Sequence, residues 1–256
     1  MDKIFKSLIK IFWVLALASC VNAFAASLQW QTLAPGLEYT KVNTFAGIGN
    51  KGIHAFRFDL QRYQLQLAFT QQQNRLTNII ELMNTNHAII GVNGGFFTPD
   101  LKPLGLRIAE GQIKSPLKNT AWWGVFFTKG AQAAIVSPNS FKASKKINFA
   151  VQSGPRLIVN GQITNLKPGM ANRTALGITR DNKIVLLVSN GFPLSTQELA
   201  KIMQAPENQG GLNCFNALNL DGGSSTQLYA RINKFSLSVP SFAMVTDAVL
   251  VIPKIQ

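Results

Sequence analysis

Short apolar runs separated by turn-forming residues recur along the chain, a pattern typical of β-strands. The runs that predict strands are Leu37–Val42, Gly52–Leu60, Gln64–Phe69, His87–Asn93, Leu212–Leu220 and Met244–Ile252. Pairs of turn residues between further strand-like runs predict hairpins at Glu110-Gly111, Lys129-Gly130, Asn160-Gly161 and Asp181-Asn182. Most of the fold is therefore expected to be sheet.

Two segments have the spacing of a helix. Ser195–Gln204 begins with Ser195 and has Glu198 three residues later, which is the signature of a capping box before an apolar face. Thr77–Asn84 shows a shorter pattern of the same kind. With no internal repeat or linker in view, the sequence predicts an α+β fold, a single domain with a mixed, mostly antiparallel β-sheet and a few packed helices.

The first 25 residues predict a secretory signal peptide, which leaves 26–256 as the folded domain. Three lysines precede the short apolar run Ile11–Ala18, and small residues follow it. Cleavage after Ala23-Phe24-Ala25 would start the mature chain at Ala26. The alternative is a lipobox at Leu17-Ala18-Ser19-Cys20, which would leave a lipid on Cys20. We expect a periplasmic or secreted protein, without a lipid because no flexible tether follows Cys20.

Composition narrows the class of protein. The chain has 256 residues, of which 46% are hydrophobic and 14% charged, which indicates a globular protein. The net charge of +14 is scattered, with Lys142, Lys145 and Lys146 as the one tight cluster, and no nucleic-acid recognition motif accompanies it. We expect no nucleic-acid partner. The basic excess is either a tolerated surface or an attraction to phosphate-bearing glycans or an anionic envelope surface.

Cysteine and histidine usage argues against several kinds of chemistry. The chain has 2 cysteines, and one of them, Cys20, lies in the signal segment, so Cys214 is expected to be a free packing residue in an apolar run. His54 and His87 have no motif around them. Because no cluster has zinc-ligand spacing, we predict neither a metal nor a cofactor.

Two apolar strands end in the same way, with a polar residue followed by paired glycines. They are Asn93-Gly94-Gly95 and Asp221-Gly222-Gly223. Paired glycines allow a sharp turn and bring backbone N–H groups close to an anionic ligand. From the residues alone, Asp221 is either a rigidly held catalytic carboxylate or the cap of a tight turn.

Five motifs in order resemble the phosphodiester glycosidase family, over roughly residues 33–252. They are Asn93-Gly94-Gly95-Phe96-Phe97, Pro103-Leu104-Gly105-Leu106 with Gly111, Gly154-Pro155-Arg156-Leu157 with Gly161, Arg173-Thr174-Ala175-Leu176-Gly177, and Asn219-Leu220-Asp221-Gly222-Gly223-Ser224-Ser225. An ordered set is more specific than any one motif. Asp247 departs from the pattern, since the resemblance leads us to expect Asn there.

The resemblance implies hydrolysis of the sugar–phosphate link in a sugar-1-phosphodiester, with a phosphorylated glycan as substrate. It implies Asp221 as the catalytic carboxylate and Arg173 as the phosphate clamp, with Asn93 as a third catalytic residue. The substrate-binding residues that it implies are Gly94, Gly95, Phe96, Thr174, Asn219, Gly222, Gly223, Ser224 and Ser225. A phosphate leaving group is stable as an anion, so one carboxylate and an arginine could suffice.

Two other functions fit the same residues. One is a glycosidase acting on an envelope polysaccharide, which would need a second carboxylate from Asp100, Glu110 or Asp247. The other is a non-catalytic glycan-binding or exopolysaccharide-assembly protein. Trp122-Trp123 is either a platform for sugar stacking or part of the core.

Overall fold

The computed structural model describes residues 27–42, 51–72, 75–76, 78–241 and 243–255. The predicted signal segment and both cleavage sites lie outside these residues, and nothing structural bears on them. No helix in the described part of the chain is long and apolar enough to cross a membrane.

Within these residues the chain forms twenty β-strands and two α-helices. The strands are β1 Gln31–Ala34, β2 Leu37–Val42, β3 Gly52–Phe58, β4 Tyr63–Phe69, β5 Gln71–Gln72, β6 Arg75–Leu76, β7 Ile90–Asn93, β8 Arg107–Ala109, β9 Gln112–Ser115, β10 Gly124–Lys129, β11 Gln132–Val136, β12 Ile147–Ser153, β13 Arg156–Val159, β14 Gln162–Ile163, β15 Thr174–Thr179, β16 Ile184–Asn190, β17 Cys214–Asn219, β18 Leu228–Ile232, β19 Phe235–Val239 and β20 Asp247–Pro253. The helices are α1 Ile79–Thr85 and α2 Thr196–Gln204.

Three sheets carry the fold, beside a small β5–β6 pair. The first has eight strands in the order β1-β2-β3-β16-β15-β17-β13-β14. The other two have five strands each, in the orders β11-β10-β12-β8-β9 and β19-β18-β7-β20-β4. Every strand pair found in the described residues is antiparallel, which confirms the mostly antiparallel arrangement; the parallel pairs that a mixed sheet would contain do not occur among these residues. The four predicted hairpins all occur, at β8–β9, β10–β11, β13–β14 and β15–β16.

The main core lies between the sheets and collects side chains from all three. Phe56 and Leu176 come from the eight-stranded sheet, Phe149 from the second sheet, and Val92 and Val249 from the third. Helix α2 covers the outer face of the eight-stranded sheet, and α1 packs on β7 and β20. The helices are thus small outer covers, and the fold contains more sheet and less helix than an α+β description implies.

Helix α2 begins as the sequence predicts. Ser195 is the N-cap: its side chain accepts a hydrogen bond from the Glu198 N–H, and the Glu198 side chain accepts one from the Ser195 N–H. Leu199 and Met203 are buried against the sheet. Capping satisfies backbone donors that the first turn leaves unpaired, which fixes where the helix starts.

Cys214 lies under this helix and is a packing residue. Its side chain is 3% exposed, and burial raises the pKa of its thiol far above the ordinary range, which disfavours the thiolate a nucleophile needs. A Cβ added at Gly177 would lie 2.5 Å from Cys214 Sγ and 2.9 Å from Met203 Cε. The sulfur therefore fills the space that the glycine leaves open.

Two substitutions test this packing together. Cys214→Ala should reduce the free energy of unfolding by about 1 kcal/mol, as a small buried truncation does. Gly177→Ala should cost about 1–3 kcal/mol through overpacking. The double variant should lose less unfolding free energy than the two single variants together, because removing the sulfur makes room for the new methyl group. Strictly additive losses in urea unfolding would contradict the contact.

Candidate active site

Polar residues of several strands collect at one edge of the sheets. Strands β7 and β17 end with Asn93 and Asn219, whereas β15 and β20 begin with Thr174 and Asp247. Antiparallel neighbours run in opposite directions, so the end of one strand lies beside the start of the next. Ala248 pairs with Asn93, and Ala175 pairs with Asn219. The two glycine motifs meet at this edge, although more than a hundred residues separate them in the chain.

Asn93 joins two sheets through its side-chain amide. Asn93 Nδ2 donates to the carbonyl of Asp221 at 2.8 Å, and Thr174 Oγ1 donates to Asn93 Oδ1 at 2.7 Å. The Gln227 N–H donates to the same Oδ1 at 3.3 Å. Asn93 is fully buried. This geometry fits a residue that positions Asp221, and the catalytic assignment of Asn93 itself stays a prediction.

Asp221 follows β17 and is half-buried. Its N–H donates to the carbonyl of Gly94 at 3.2 Å, and its Oδ1 accepts from the Gly222 N–H at 2.8 Å. Burial raises the pKa of the Asp221 carboxyl, while hydrogen bonds from Ser225 and Gly222 lower it and the nearby charge of Asp247 raises it further. Asp221 thus caps its turn, and its role as a catalytic carboxylate stays a prediction.

A buried ion pair lies beside the first glycine pair. Arg107 Nε lies 2.9 Å from Asp247 Oδ2, and neither side chain is exposed. The remaining Arg107 nitrogens donate to carbonyls, including that of Gln152 at 3.0 Å and that of Phe96 at 3.0 Å. Sequence reasoning missed Arg107. The available signals were its position directly after the Leu104-Gly105-Leu106 motif and the unexpected acid at 247.

The first glycine pair permits a close approach to this ion pair. A Cβ at Gly94 would lie 1.5 Å from Asp247 Oδ1, and one at Gly95 would lie 2.6 Å from Arg107 Nη2. The Gly94 N–H donates to the Asp247 carbonyl at 2.9 Å, and the Gly95 N–H to Asp247 Oδ1 at 3.1 Å. The expectation that these N–H groups face a ligand is therefore wrong, because Asp247 accepts both.

The second glycine pair is also tied to protein atoms. The Gly222 N–H bonds Asp221, and the Gly223 N–H donates to the Asn172 carbonyl at 2.8 Å. A short 3-10 turn, Gly223–Ser225, follows; Ser225 is buried, and the exposed Ser224 accepts a hydrogen bond from the Ser241 hydroxyl through its carbonyl. This loop holds Asp221 in place and leaves Ser224 at the surface.

Arg173 lies directly before β15 and beside this loop. Its Nε donates to the Leu194 carbonyl at 2.9 Å, and its Nη2 donates to the Gly169 carbonyl. No carboxylate in the described residues forms a salt bridge with it. Burial lowers the pKa of this guanidinium, yet an arginine remains charged at neutral pH. The site thus contains a half-buried cation without an acidic partner.

Several buried polar atoms at this edge have no hydrogen-bond partner among the described residues. Asn172 Oδ1 and Thr226 Oγ1 flank the Gly222–Gly223 turn, and Asn219 Oδ1 is free although its Nδ2 donates to the Gly154 carbonyl at 2.9 Å. Such atoms are uncommon in folded proteins, where most buried polar groups are hydrogen-bonded. In the part of the chain that the structure describes, no group of three His, Cys, Asp or Glu side chains could hold a metal ion.

Solved structures of similar fold include three that cover most of this chain. A hypothetical protein from Synechocystis matches with a TM-score of 0.62 and 17% identity, covering 90% of this chain and 64% of its own. The catalytic domain of zebrafish N-acetylglucosamine-1-phosphodiester alpha-N-acetylglucosaminidase, auto-inhibited by its pro-peptide, matches with a TM-score of 0.62 and 16% identity, covering 90% and 89%. A putative exported protein from Burkholderia pseudomallei K96243 matches with a TM-score of 0.54 and 13% identity, covering 78% and 74%. At these identities the likeness shows the fold alone.

Comparison of the sequences shows the family as well as the fold. The chain is 38% identical over 112 residues to the uncharacterized protein YigE of Escherichia coli (strain K12), which is 39% of this chain and 44% of that protein. The chain thus matches less than half the length of this relative. The model of the phosphodiester glycosidase family matches residues 86–252, a stretch that contains all five motifs and every residue of the site described above. This chain belongs to the phosphodiester glycosidase family.

Proposed function

We propose that this protein is an exported hydrolase that cleaves the glycosidic link between a sugar and phosphate in a sugar-1-phosphodiester. The observation that carries the proposal is Asp221, a half-buried carboxylate with a raised pKa at an edge where two sheets are bonded together. Perturbed carboxylates held on rigid elements are typical of catalytic sites. Family membership supports the reaction class.

Asp221 acts at the anomeric carbon in this scheme. The ionised carboxylate either takes a proton from the water that attacks that carbon, or attacks the carbon itself and forms a glycosyl ester that water then hydrolyses. The bond between the anomeric carbon and the phosphate oxygen breaks, and its electron pair leaves with the phosphate. The Gly222 N–H at 2.8 Å from Oδ1 fixes the orientation of the carboxyl group.

A dedicated general acid is not required, because the departing phosphate is already a stable anion with a second pKa of about 6. Two of the three other candidate carboxylates, Asp247 and Asp100, are poorly suited to that role. Asp247 is 1% exposed and bonds Arg107 and Gly95. The hydrogen bonds of Lys102 and Thr98 lower the pKa of Asp100 to about 2, so its carboxyl carries no proton at neutral pH. These features favour a one-carboxylate scheme over that of an ordinary glycosidase.

Arg173 is the residue we assign to the phosphate. Its Nη1 makes no hydrogen bond to the described residues, and Nε and Nη2 are held by two backbone carbonyls that carry no net charge. A guanidinium offers phosphate a planar pair of donors, which a lysine does not. Since the N–H groups of both glycine pairs bond protein atoms, the positive charge for the substrate comes from this side chain.

Replacing the carboxylate tests the catalytic assignment. Asp221→Asn should lose several orders of magnitude in kcat on a sugar-1-phosphodiester, because an amide is neither base nor nucleophile. The matched control is Asp100→Asn, an exposed carboxylate that should keep near-normal kinetics. Circular dichroism verifies that both variants are folded. A fully active Asp221→Asn would contradict the assignment and favour the glycan-binding alternative.

The raised pKa of Asp221 predicts a pH dependence. Activity should fall in acid at a pH above the ordinary aspartate value of 3.8, because the reaction needs the ionised form. A raised folded-state pKa also means that Asp221 stabilises the fold only while protonated, and this contribution is lost as pH rises through that pKa. Asp221→Asn should therefore have a Tm at pH 7 no lower than the wild type, with the difference shrinking in acid. Calorimetry across pH measures this, and a Tm deficit that grows with pH would contradict it.

A conservative change tests the phosphate clamp. Arg173→Lys keeps the charge but loses the planar pair of donors, so kcat/KM for a phosphodiester should fall about tenfold or more. Arg180→Lys, an exposed arginine stacked on Phe215, is the matched control and should change little. If Arg173→Lys left the kinetics unchanged, Arg173 would be removed from the site.

A further inference from the structure

Three aromatic rings lead from the active-site edge to solvent. The Phe96 ring, directly after Gly95, lies 5.2 Å from the Trp123 ring, centroid to centroid. Trp122 lies edge-on to Trp123 at 5.6 Å and 89°. The middle ring is the most enclosed, because Trp123 is 5% exposed whereas Phe96 is half-buried and Trp122 is 56% exposed. We call these three residues the aromatic series.

The loop that carries Trp122 is held firmly, although it has no regular secondary structure. Gln152 is fully buried, and its Oε1 accepts from the N–H groups of Lys118 and Leu106, both at 2.9 Å. Its Nε2 donates to the Lys118 carbonyl at 2.6 Å. At the other end of the loop, the Arg156 N–H donates to the Trp122 carbonyl at 3.2 Å. A buried side chain thus anchors a loop that presents a large apolar ring to water.

Two cations lie beside the segment that contains Trp122 and Trp123. Lys118 Nζ lies 5.9 Å from the centroid of Trp123, and Arg156 Nη2 lies 3.5 Å from the carbonyl of Ala121. Neither forms a salt bridge with any carboxylate in the described ranges. Arg156 Nε and Trp123 Nε1 are also buried donors without a partner there. The surface around Trp122 therefore combines a flat apolar face with unpaired positive charge.

The strand order places this surface on the side of Asp221 away from Arg173, because β17, which ends just before Asp221, lies between β15, which follows Arg173, and β13, which begins at Arg156. From Asp221, one route passes through the Gly94 carbonyl to Phe96 and the aromatic series. The other passes through Gly222 and Gly223 to the Asn172 carbonyl and Arg173. If Arg173 binds the phosphate, the aromatic series faces the sugar side of the scissile bond.

We infer that Trp122, with Lys118 and Arg156, forms a subsite for an anionic sugar unit that precedes the sugar released from phosphate. The face of the indole covers the C–H surface of the sugar ring, and the two cations bind its carboxylate or phosphate group. The position of this unit along the substrate rests on the proposed function; the subsite itself does not. The substrate is then a glycan chain rather than a single sugar cap.

Calorimetry on the full chain tests the subsite without any need for hydrolysis. The probes are tetragalacturonate, a phosphorylated maltotetraose and neutral maltotetraose. An acidic probe should bind at least fivefold more tightly than the neutral one, and the two acidic probes distinguish carboxylate from phosphate. Trp122→Ala should weaken binding about tenfold or more, and Trp122→Phe should restore part of it, since a flat ring remains. Ile113→Ala, 58% exposed on β9, is the matched control and should bind as the wild type does.

The charge contribution has its own variant. Lys118→Met with Arg156→Met keeps the aliphatic stems and removes both charges, so the preference for acidic probes should disappear while neutral binding persists. Equal binding by the wild type and Trp122→Ala, or no binding of any probe by the wild type, would overturn the subsite. Binding with this pattern but no cleavage of any sugar-1-phosphodiester would leave the subsite in place and refute the proposed function.

Discussion

The buried ion pair between Arg107 and Asp247 is the constraint on which this site depends. It joins the start of β8 to the start of β20, and thereby one five-stranded sheet to the other. Removing one partner of such a pair typically costs about 3–5 kcal/mol, because the other is left as an uncompensated buried charge. Asp247 accepts hydrogen bonds from the N–H groups of Gly94 and Gly95, so the ion pair fixes this glycine turn. The Gly94 carbonyl then accepts a hydrogen bond from the Asp221 N–H.

The same pair sets the electrostatics around Asp221. Asp247 raises the pKa of the Asp221 carboxyl and Arg107 lowers it, so the two charges oppose one another there and burial remains the largest influence. Natural proteins tolerate a destabilising group at a functional site, and the proposed catalytic role of Asp221 would account for its unfavourable burial. In the proposed scheme the phosphate charge is met separately, by Arg173 on the far side of the Gly222–Gly223 turn. The Asp221 carboxylate and the Arg173 guanidinium are thus kept apart, which in this scheme leaves each of them free to bind the substrate.

Local signals in the sequence were reliable, and contacts distant in sequence were not visible. The capping box at Ser195, the hairpin turns and the Asp221 strand end were predictable, because each depends on neighbouring residues. Arg107 was not, since it resembles an ordinary strand residue and its partner lies 140 positions away. The glycine pairs were recognised but their purpose was misjudged, because only the fold reveals that Asp247 occupies the space beside Gly94. The period of apolar positions along a strand is the same in parallel and antiparallel sheets, so it did not determine the direction of the strands.

The central claim is that one carboxylate and one arginine, held on opposite sides of a glycine turn, receive a sugar-1-phosphodiester. A crystal structure of Asp221→Asn with an uncleaved sugar-1-phosphodiester tests it most directly. We expect the anomeric carbon about 3–3.5 Å from the side chain at position 221, with a phosphate oxygen hydrogen-bonded to Arg173. A ligand bound at this edge with its phosphate away from Arg173, or with its anomeric carbon out of reach of position 221, would contradict the account.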